Sequence, residues 1–242
     1  MTPLSLLRGL YLAFFKKDEY YRFLISEKIG SLFYDKLVYG EFGKLFLNNL
    51  PFIKDYRKFE GGNNHSLDRK WAVVEFLKLT KGLDGDTVEC GCFKGATSYF
   101  ILKNINPNKN HHIFDSFDGL SEPNEIDGMH WKKGDLVSTE DETRRNLSEF
   151  NNVKYYKGWI PERFNEVENL KFSFVHLDVD LYEPTRDSLD FFYPRLQKGG
   201  IIICDDSGFI TCPGATKAMN EFAEENHIEI LNLPTGQGII IK

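Results

Sequence analysis

KFSFVHLDVDLYEPTRDSLDFFYPRLQKGGIIICDDS, residues 171–207, decides the fold. Residues 172–179 form a mostly apolar, β-prone run with Asp178 and Asp180 at its end, and a helix-like segment follows Pro184. Gly199 and Gly200 turn the chain, and residues 201–204 give a second apolar run that ends at Asp205 and Asp206. That order predicts a β-α-β unit. Parallel strands bring their carboxyl ends to one edge of the sheet, the edge where open α/β sheets place their ligands. Four carboxylates therefore converge on one rim.

Crowded carboxylates repel unless a proton or a cation intervenes, and at neutral pH a divalent ion is the least costly way to hold them together. Asp178, Asp205 and Asp206 are the candidate metal ligands. An all-oxygen set without nearby Cys or His pairs favours Mg²⁺, with Mn²⁺ or Ca²⁺ as alternatives, over Zn²⁺. The competing reading has Asp205 and Asp206 capping a helix or shaping a loop, and Asp180 doing the same ahead of Pro184. Either pair alone suits that reading; both pairs on one rim favour the ion.

Upstream, residues 87–90 read as the first strand of the main domain and run into ECGCFKGATSYFILK, where Gly91 and Gly95 bracket a tight turn and residues 96–102 begin a helix. Such a turn lets a nucleotide-like ligand approach the backbone, and the helix amino end, at Ala96 and Thr97, adds donors. Glu89 at the strand end can accept from a cationic or hydroxyl group. The turn alone is a weak signal. The next strand, residues 111–114, strengthens it, because Asp115 stands at its end 24 residues beyond Gly91, where doubly wound folds grip ribose hydroxyls. The alternative for Asp115 is a turn residue in DSFDG. His111 and His112 read as surface residues.

Residues 118–134, DGLSEPNEIDGMHWKKG, are too long for an idle connector and suggest a lid or acceptor loop, with His130 and Trp131 as surfaces for an acceptor ring. The plainer role for Trp131 is to pin that loop to the core. A charged helix over 141–150 and a third strand over 153–157 follow, and they put Gly158 and Trp159 on the same rim. Downstream, residues 213–226 give a helix, and residues 228–242 two β runs around a Pro and Gly turn, consistent with a last strand inserted antiparallel.

Residues 1–64 read as a helical extension and 65–242 as the main domain, with GGNN at 61–64 as the boundary. The apolar face of the extension suits packing on the domain, or a homodimer, better than a peripheral membrane contact. His65 could overhang the site or simply be solvated. Residues 67–79 carry helical periodicity. With 41% hydrophobic and 27% charged residues, the composition is that of a globular protein. A net charge of −6 without a basic stripe argues against a nucleic-acid partner. The four cysteines, Cys90, Cys92, Cys204 and Cys212, lack CxxC spacing, and buried thiols in a reducing cytoplasm are expected. No secretory signal and no membrane-spanning segment is evident.

Five motifs together resemble the TylF-like (macrocin O-methyltransferase) family of S-adenosylmethionine-dependent enzymes. They are VECGCFKGAT (88–97), FDSFDGL (114–120), KGWIPERF (157–164), HLDVDLYEPT (176–185) and YPRLQKGGIIICDD (193–206). The likeness spans roughly residues 65–240. It implies a Rossmann-like class I methyltransferase sheet, α/β with helices on both faces and an antiparallel last strand. It also implies a bound methyl donor, Mg²⁺ on Asp178, Asp205 and Asp206, and Asp180 at the general-base position. The donor would lie along Glu89, Gly91, Gly95, Ala96, Thr97, Asp115, Ser116, Phe117, Gly158, Trp159 and Asp178. Family members methylate hydroxyls, typically on sugars of natural products or glycans. The chain departs from the pattern in having Val179 where glycine is common, and Phe93 and Lys94 where Trp and Arg are frequent; the acceptor pocket is where these departures matter.

Two rivals stand against a methyltransferase. A nicotinamide-dependent oxidoreductase shares the strand-turn-acid logic, but GCFKG lacks the G-x-G-x-x-G spacing and hydride transfer gives no reason for four rim aspartates. A non-catalytic binding protein on the same fold would bind the donor without transferring its methyl group.

Overall fold

In a computed structural model, which describes residues 3–34, 40, 42–60 and 66–242, short apolar runs alternate with helices to build a seven-stranded sheet. The strands are β1 (Asp86–Cys90), β2 (His111–Asp115), β3 (Val153–Lys157), β4 (Phe172–Leu177), β5 (Leu196–Cys204), β6 (Leu231–Asn232) and β7 (Gly238–Ile241). Their spatial order is β3-β2-β1-β4-β5-β7-β6. The first five are parallel, β7 runs antiparallel to β5, and β6 runs antiparallel to β7. Strand order reverses between β1 and β4, so the crevice beyond their carboxyl ends is the switch point of the sheet.

Side-chain alternation puts a helical layer on each face. Phe174, Ile201, Ile203 and Ile239 pack with Val73 and Leu77 of α4 (Leu67–Leu77) and Ile101 of α5 (Ala96–Asn104). Val175, Leu177, Ile202 and Ile240 point the other way, against Leu189 and Phe192 of α7 (Tyr182–Arg195) and Met219 and Phe222 of α8 (Pro213–Asn226). Every residue of β4 is buried, as a central parallel strand covered on both faces requires. The helix expected after Pro184 starts at Tyr182, because proline is tolerated in a first turn whose amides have no intrahelical partner. Pro213 opens α8 in the same way.

His111 and His112 are not surface residues: they are 0% and 3% exposed. β2 has neighbours on both sides, and each ring finds partners within the fold. His111 Nδ1 meets Thr87 Oγ1 at 2.9 Å and its Nε2 meets Ser98 Oγ at 3.2 Å, while His112 lies 2.9 Å from the Tyr156 hydroxyl and 3.0 Å from Asp86 Oδ2. The four cysteines are free and buried. The charged helix expected over 141–150 is the shorter α6 (Glu140–Asn146), with the Thr139 side chain accepting from Glu142 N at its start.

The chain divides into two compact units, Met1–Asp55 and Tyr56–Lys242. In the first, α1 (Pro3–Phe14) leads into α2 (Glu19–Phe33), with Asp18 capping α2 and Arg22 Nε donating to the Ala13 carbonyl at 3.0 Å. The division falls inside α3 (Leu50–Glu60). The boundary expected at 61–64, and His65, lie outside the described residues. Among the described residues no helix is long and apolar enough to cross a membrane.

Candidate active site

A cavity of about 570 Å³ opens at the carboxyl ends of β1, β2 and β4. One end of it is built by the turn after β1. Gly91 has φ 77°, and a Cβ there would meet the Asp178 carbonyl oxygen at 1.9 Å, so only glycine lets β1 and β4 stay this close at their ends. Asp115, at the tip of β2, holds the turn in shape. Its Oδ2 accepts from the amides of Cys92 (2.8 Å) and Phe93 (3.1 Å), and its Oδ1 from Phe117 N (2.7 Å). A carboxylate offers about four lone-pair directions. One on Oδ1 is left for a hydroxyl.

The other end is acidic. Asp178 and Asp180 follow β4, and Asp206 follows β5; all three line the cavity. Asp180 has φ 60°, left-handed backbone for a residue with a side chain, and its amide donates to Asp206 Oδ2 at 3.1 Å. Trp131 Nε1 donates to Cys212 Sγ at 3.3 Å, and that thiol donates to Asp180 Oδ1 at 3.6 Å. Trp131 thus lines the cavity and at the same time secures the 118–134 loop. Asp127 secures it again by accepting from Tyr182 N at 2.7 Å.

Of the expected donor and catalytic residues, Gly91, Ala96, Thr97, Asp115, Ser116, Gly158, Trp159, Asp178 and Asp180 line the cavity. Glu89, Gly95 and Phe117 do not. Gly95 caps α5 with φ 84°, and Phe117 is buried. Glu89 is buried among polar groups: Ser98 Oγ donates to its Oε2, and His176 Nδ1 lies 3.1 Å from its Oε1. On its other side His176 Nε2 is 3.4 Å from Asp205 Oδ1.

Asp205 is fully buried and already served by cations. Arg69 Nη1 donates to its Oδ2, Gln237 Nε2 donates to its Oδ1 at 2.7 Å, and Lys70 adds a nearby positive charge. Lys70 Nζ also stands 3.9 Å from Asp178 Oδ2. Burial would raise the Asp205 pKa, yet Lys70, the His176 contact and Arg69 hold it far below the usual carboxylate range. His176 answers in kind. Burial opposes its charge, but Asp205 and Glu89 raise it to about 9, an imidazolium between two carboxylates. Glu89 is held at about 2, against its burial, by His111 and His176.

The three cavity carboxylates behave oppositely. Burial and then Asp178 raise Asp180 to about 7; burial and then Asp205 raise Asp178; burial, Asp180 and Asp178 push Asp206 well up. These are acids short of positive charge. Hard oxygen donors with a charge deficit fit a divalent cation. The ligand atoms fall into two groups within 4.8 Å, His176 with Asp178 and Asp205, and Asp180 with Asp206 and Cys212. The expected trio is shared between those groups.

Sequence reasoning did not single out Arg69, Lys70 or Cys212. A signal for Lys70 was present: Leu67, Lys70, Val74 and Leu77 occupy one helical face and are all buried, so a lysine stands where an apolar residue belongs. Nothing local marks Arg69 or Cys212. Arg69 reaches the site from a distant segment, and Cys212 from the loop that follows Asp206.

A model of the macrocin O-methyltransferase (TylF) family matches residues 67–232. An enzyme of Streptomyces olivaceus, 8-demethyl-8-(2,3-dimethoxy-alpha-L-rhamnosyl)-tetracenomycin-C 4'-O-methyltransferase, is 29% identical over 164 residues, 62% of this chain and 62% of its own length. Demethyldecarbamoylnovobiocin O-methyltransferase of Streptomyces niveus is 27% identical over 160 residues, 60% of each chain. The chain therefore spans about 60% of the length of these curated relatives. The solved structure of the O-methyltransferase NovP is similar with a TM-score of 0.63 at 22% identity, covering 78% of this chain and 88% of that one. That likeness shows the fold.

Proposed function

The chain belongs to the macrocin O-methyltransferase (TylF) family, and from that premise we propose that it moves a methyl group from S-adenosylmethionine to a hydroxyl of a sugar, natural-product or glycan acceptor. The observation that carries this reading is the single cavity joining the Gly91 and Asp115 turn to Asp178, Asp180 and Asp206. One end suits an adenosyl donor and the other an alcohol that must lose a proton.

In the proposed step the acceptor oxygen attacks the sulfonium methyl in line. The new C–O bond forms as the C–S bond breaks, and its electron pair stays on sulfur, leaving neutral S-adenosylhomocysteine. The hydroxyl proton passes to Asp180, whose carboxylate faces the cavity with Cys212 Sγ donating to Oδ1. Asp115 offers its remaining lone-pair direction to a ribose hydroxyl, and Trp159 and Trp131 border the cavity as flat surfaces for adenine and acceptor rings. A divalent ion, Mg²⁺ with Mn²⁺ or Ca²⁺ as alternatives, would be held by Asp178, Asp206 and Asp205, and when bound it would lower the pKa of an acceptor hydroxyl. Asp205 could join that set only by giving up a partner it already has.

A labelled-donor screen against sugar and phenol acceptors tests the reading, with a mass gain of one methyl group expected on a hydroxyl. Donor binding without transfer to any acceptor in the panel would favour a binding protein instead. Chelation is expected to abolish transfer and leave donor affinity within a few-fold; full turnover in chelator would remove the ion from the proposal.

A further inference from the structure

Both oxygens of Asp205 are covered. Gln237 and His176 stand against Oδ1, and Arg69 against Oδ2. Gln237 is 1% exposed and His176 fully buried, whereas the Arg69 side chain is 22% exposed, lines the cavity and lies 5.1 Å over the Phe209 ring. Arg69 is therefore the partner that can leave. A guanidinium and a metal ion draw on the same lone pairs of a carboxylate, so they exclude each other at one oxygen.

We infer that Arg69 is a built-in cation latch on Asp205, competing with a divalent ion for Oδ2, so that ion binding expels the guanidinium into the cavity. This rests on the divalent-ion reading above. Asp178 and Asp206 line the cavity and face the ion in either state, while Asp205 changes partner. Arg69 on this account sets how much ion is needed to complete the site, and it keeps a buried carboxylate paired until that ion arrives. Removing a group from Asp205 that the ion must otherwise displace strengthens ion binding, whereas removing a cavity lysine that touches none of the four aspartates does not.

The test is Mn²⁺ titration of the full chain, followed by calorimetry and by the paramagnetic signal of free Mn²⁺. Arg69→Gln is expected to bind Mn²⁺ about ten-fold more tightly than the parent, since one charge-assisted hydrogen bond no longer has to be broken. Lys94→Gln, which removes a cavity-lining lysine paired with Glu142 rather than with an aspartate of the site, is the control and should leave the affinity unchanged. Arg69→Lys keeps the charge but loses the planar fork, should fall between the two, and serves if the glutamine variant does not fold. Parent and Arg69 variants binding Mn²⁺ equally, or Lys94→Gln tightening as much as Arg69→Gln, would overturn the latch and leave the ion reading intact. No Mn²⁺ uptake by any of the proteins would overturn both, and would be recognised by the flat titration of the parent.

Discussion

Asp180 occupies left-handed backbone, a conformation that costs a residue with a side chain on the order of 1 kcal/mol and persists only where neighbours fix it. Here the Asp206 carboxylate takes its amide and the Cys212 thiol meets its side chain, so the carboxylate is aimed into the cavity at the expense of local strain. Asp180→Asn keeps the shape and removes the proton acceptor. Its turnover is expected to fall about 10²- to 10⁴-fold, with donor affinity by calorimetry within a few-fold of the parent. Turnover within a few-fold of the parent would rule Asp180 out as the base. Asp115 illustrates the opposite economy, where one carboxylate orders three amides and still has room for a ligand.

The turn between β1 and α5 is where element geometry is least forgiving. Gly91→Ala would drive a methyl group into the Asp178 carbonyl and demand a positive φ of alanine. Urea unfolding is expected to report a loss on the order of 4 kcal/mol, together with loss of donor binding because the rim parts. At the opposite end of β1, Asp86 ties the strand to β2 by accepting from Asn110 N at 2.9 Å and meeting His112 Nε2 at 3.0 Å. Burial raises the pKa of Asp86, but the His112 and Asn110 contacts outweigh it and leave it below the ordinary 3.8. A depressed carboxylate stabilises the fold above its unfolded pKa and loses that contribution as pH falls through the folded one. Asp86→Asn should therefore be less stable than the parent by about 1 kcal/mol near pH 7, and the difference should shrink below about pH 4. A gap that stays constant down to pH 2 would show that the charge of Asp86 contributes nothing.

The sheet was readable in the sequence because its signals are local. Apolar runs such as VHL and IIIC, each followed by acids, mark strand ends, and all five parallel strands contain those runs; Gly199 and Gly200, read as a turn, instead lie inside β5, which starts at Leu196 and shifts register against β4 there. The site was readable only as far as it is made of strand tips. Asp178, Asp180 and Asp206 share the rim because parallel topology puts them there, but Asp205 is buried behind Arg69 and Gln237, and no periodicity says which of two adjacent aspartates will line the cavity. The histidines of β2 misled for the reason that polar residues suggest surface, whereas here Thr87, Ser98, Tyr156 and Asp86 satisfy them inside. Arg69 and Gln237 were invisible because their roles depend on contacts across most of the chain, whereas Lys70 left a trace as a lysine on the buried face of α4.

Those contacts also bear on how the protein acquires its competence. Arg69 is 136 positions from Asp205, and Gln237, which donates to Asp205 Oδ1, also approaches the Arg69 carbonyl at 3.4 Å from 168 positions away. Closing loops of that length is slow compared with forming the helices and the local β-α-β units. On dilution from denaturant, circular dichroism should recover ahead of affinity for S-adenosylmethionine, and the lag should be independent of protein concentration. A nascent or nicked chain can thus hold most of its secondary structure and still be inert, a knot of charge left untied until distant segments meet.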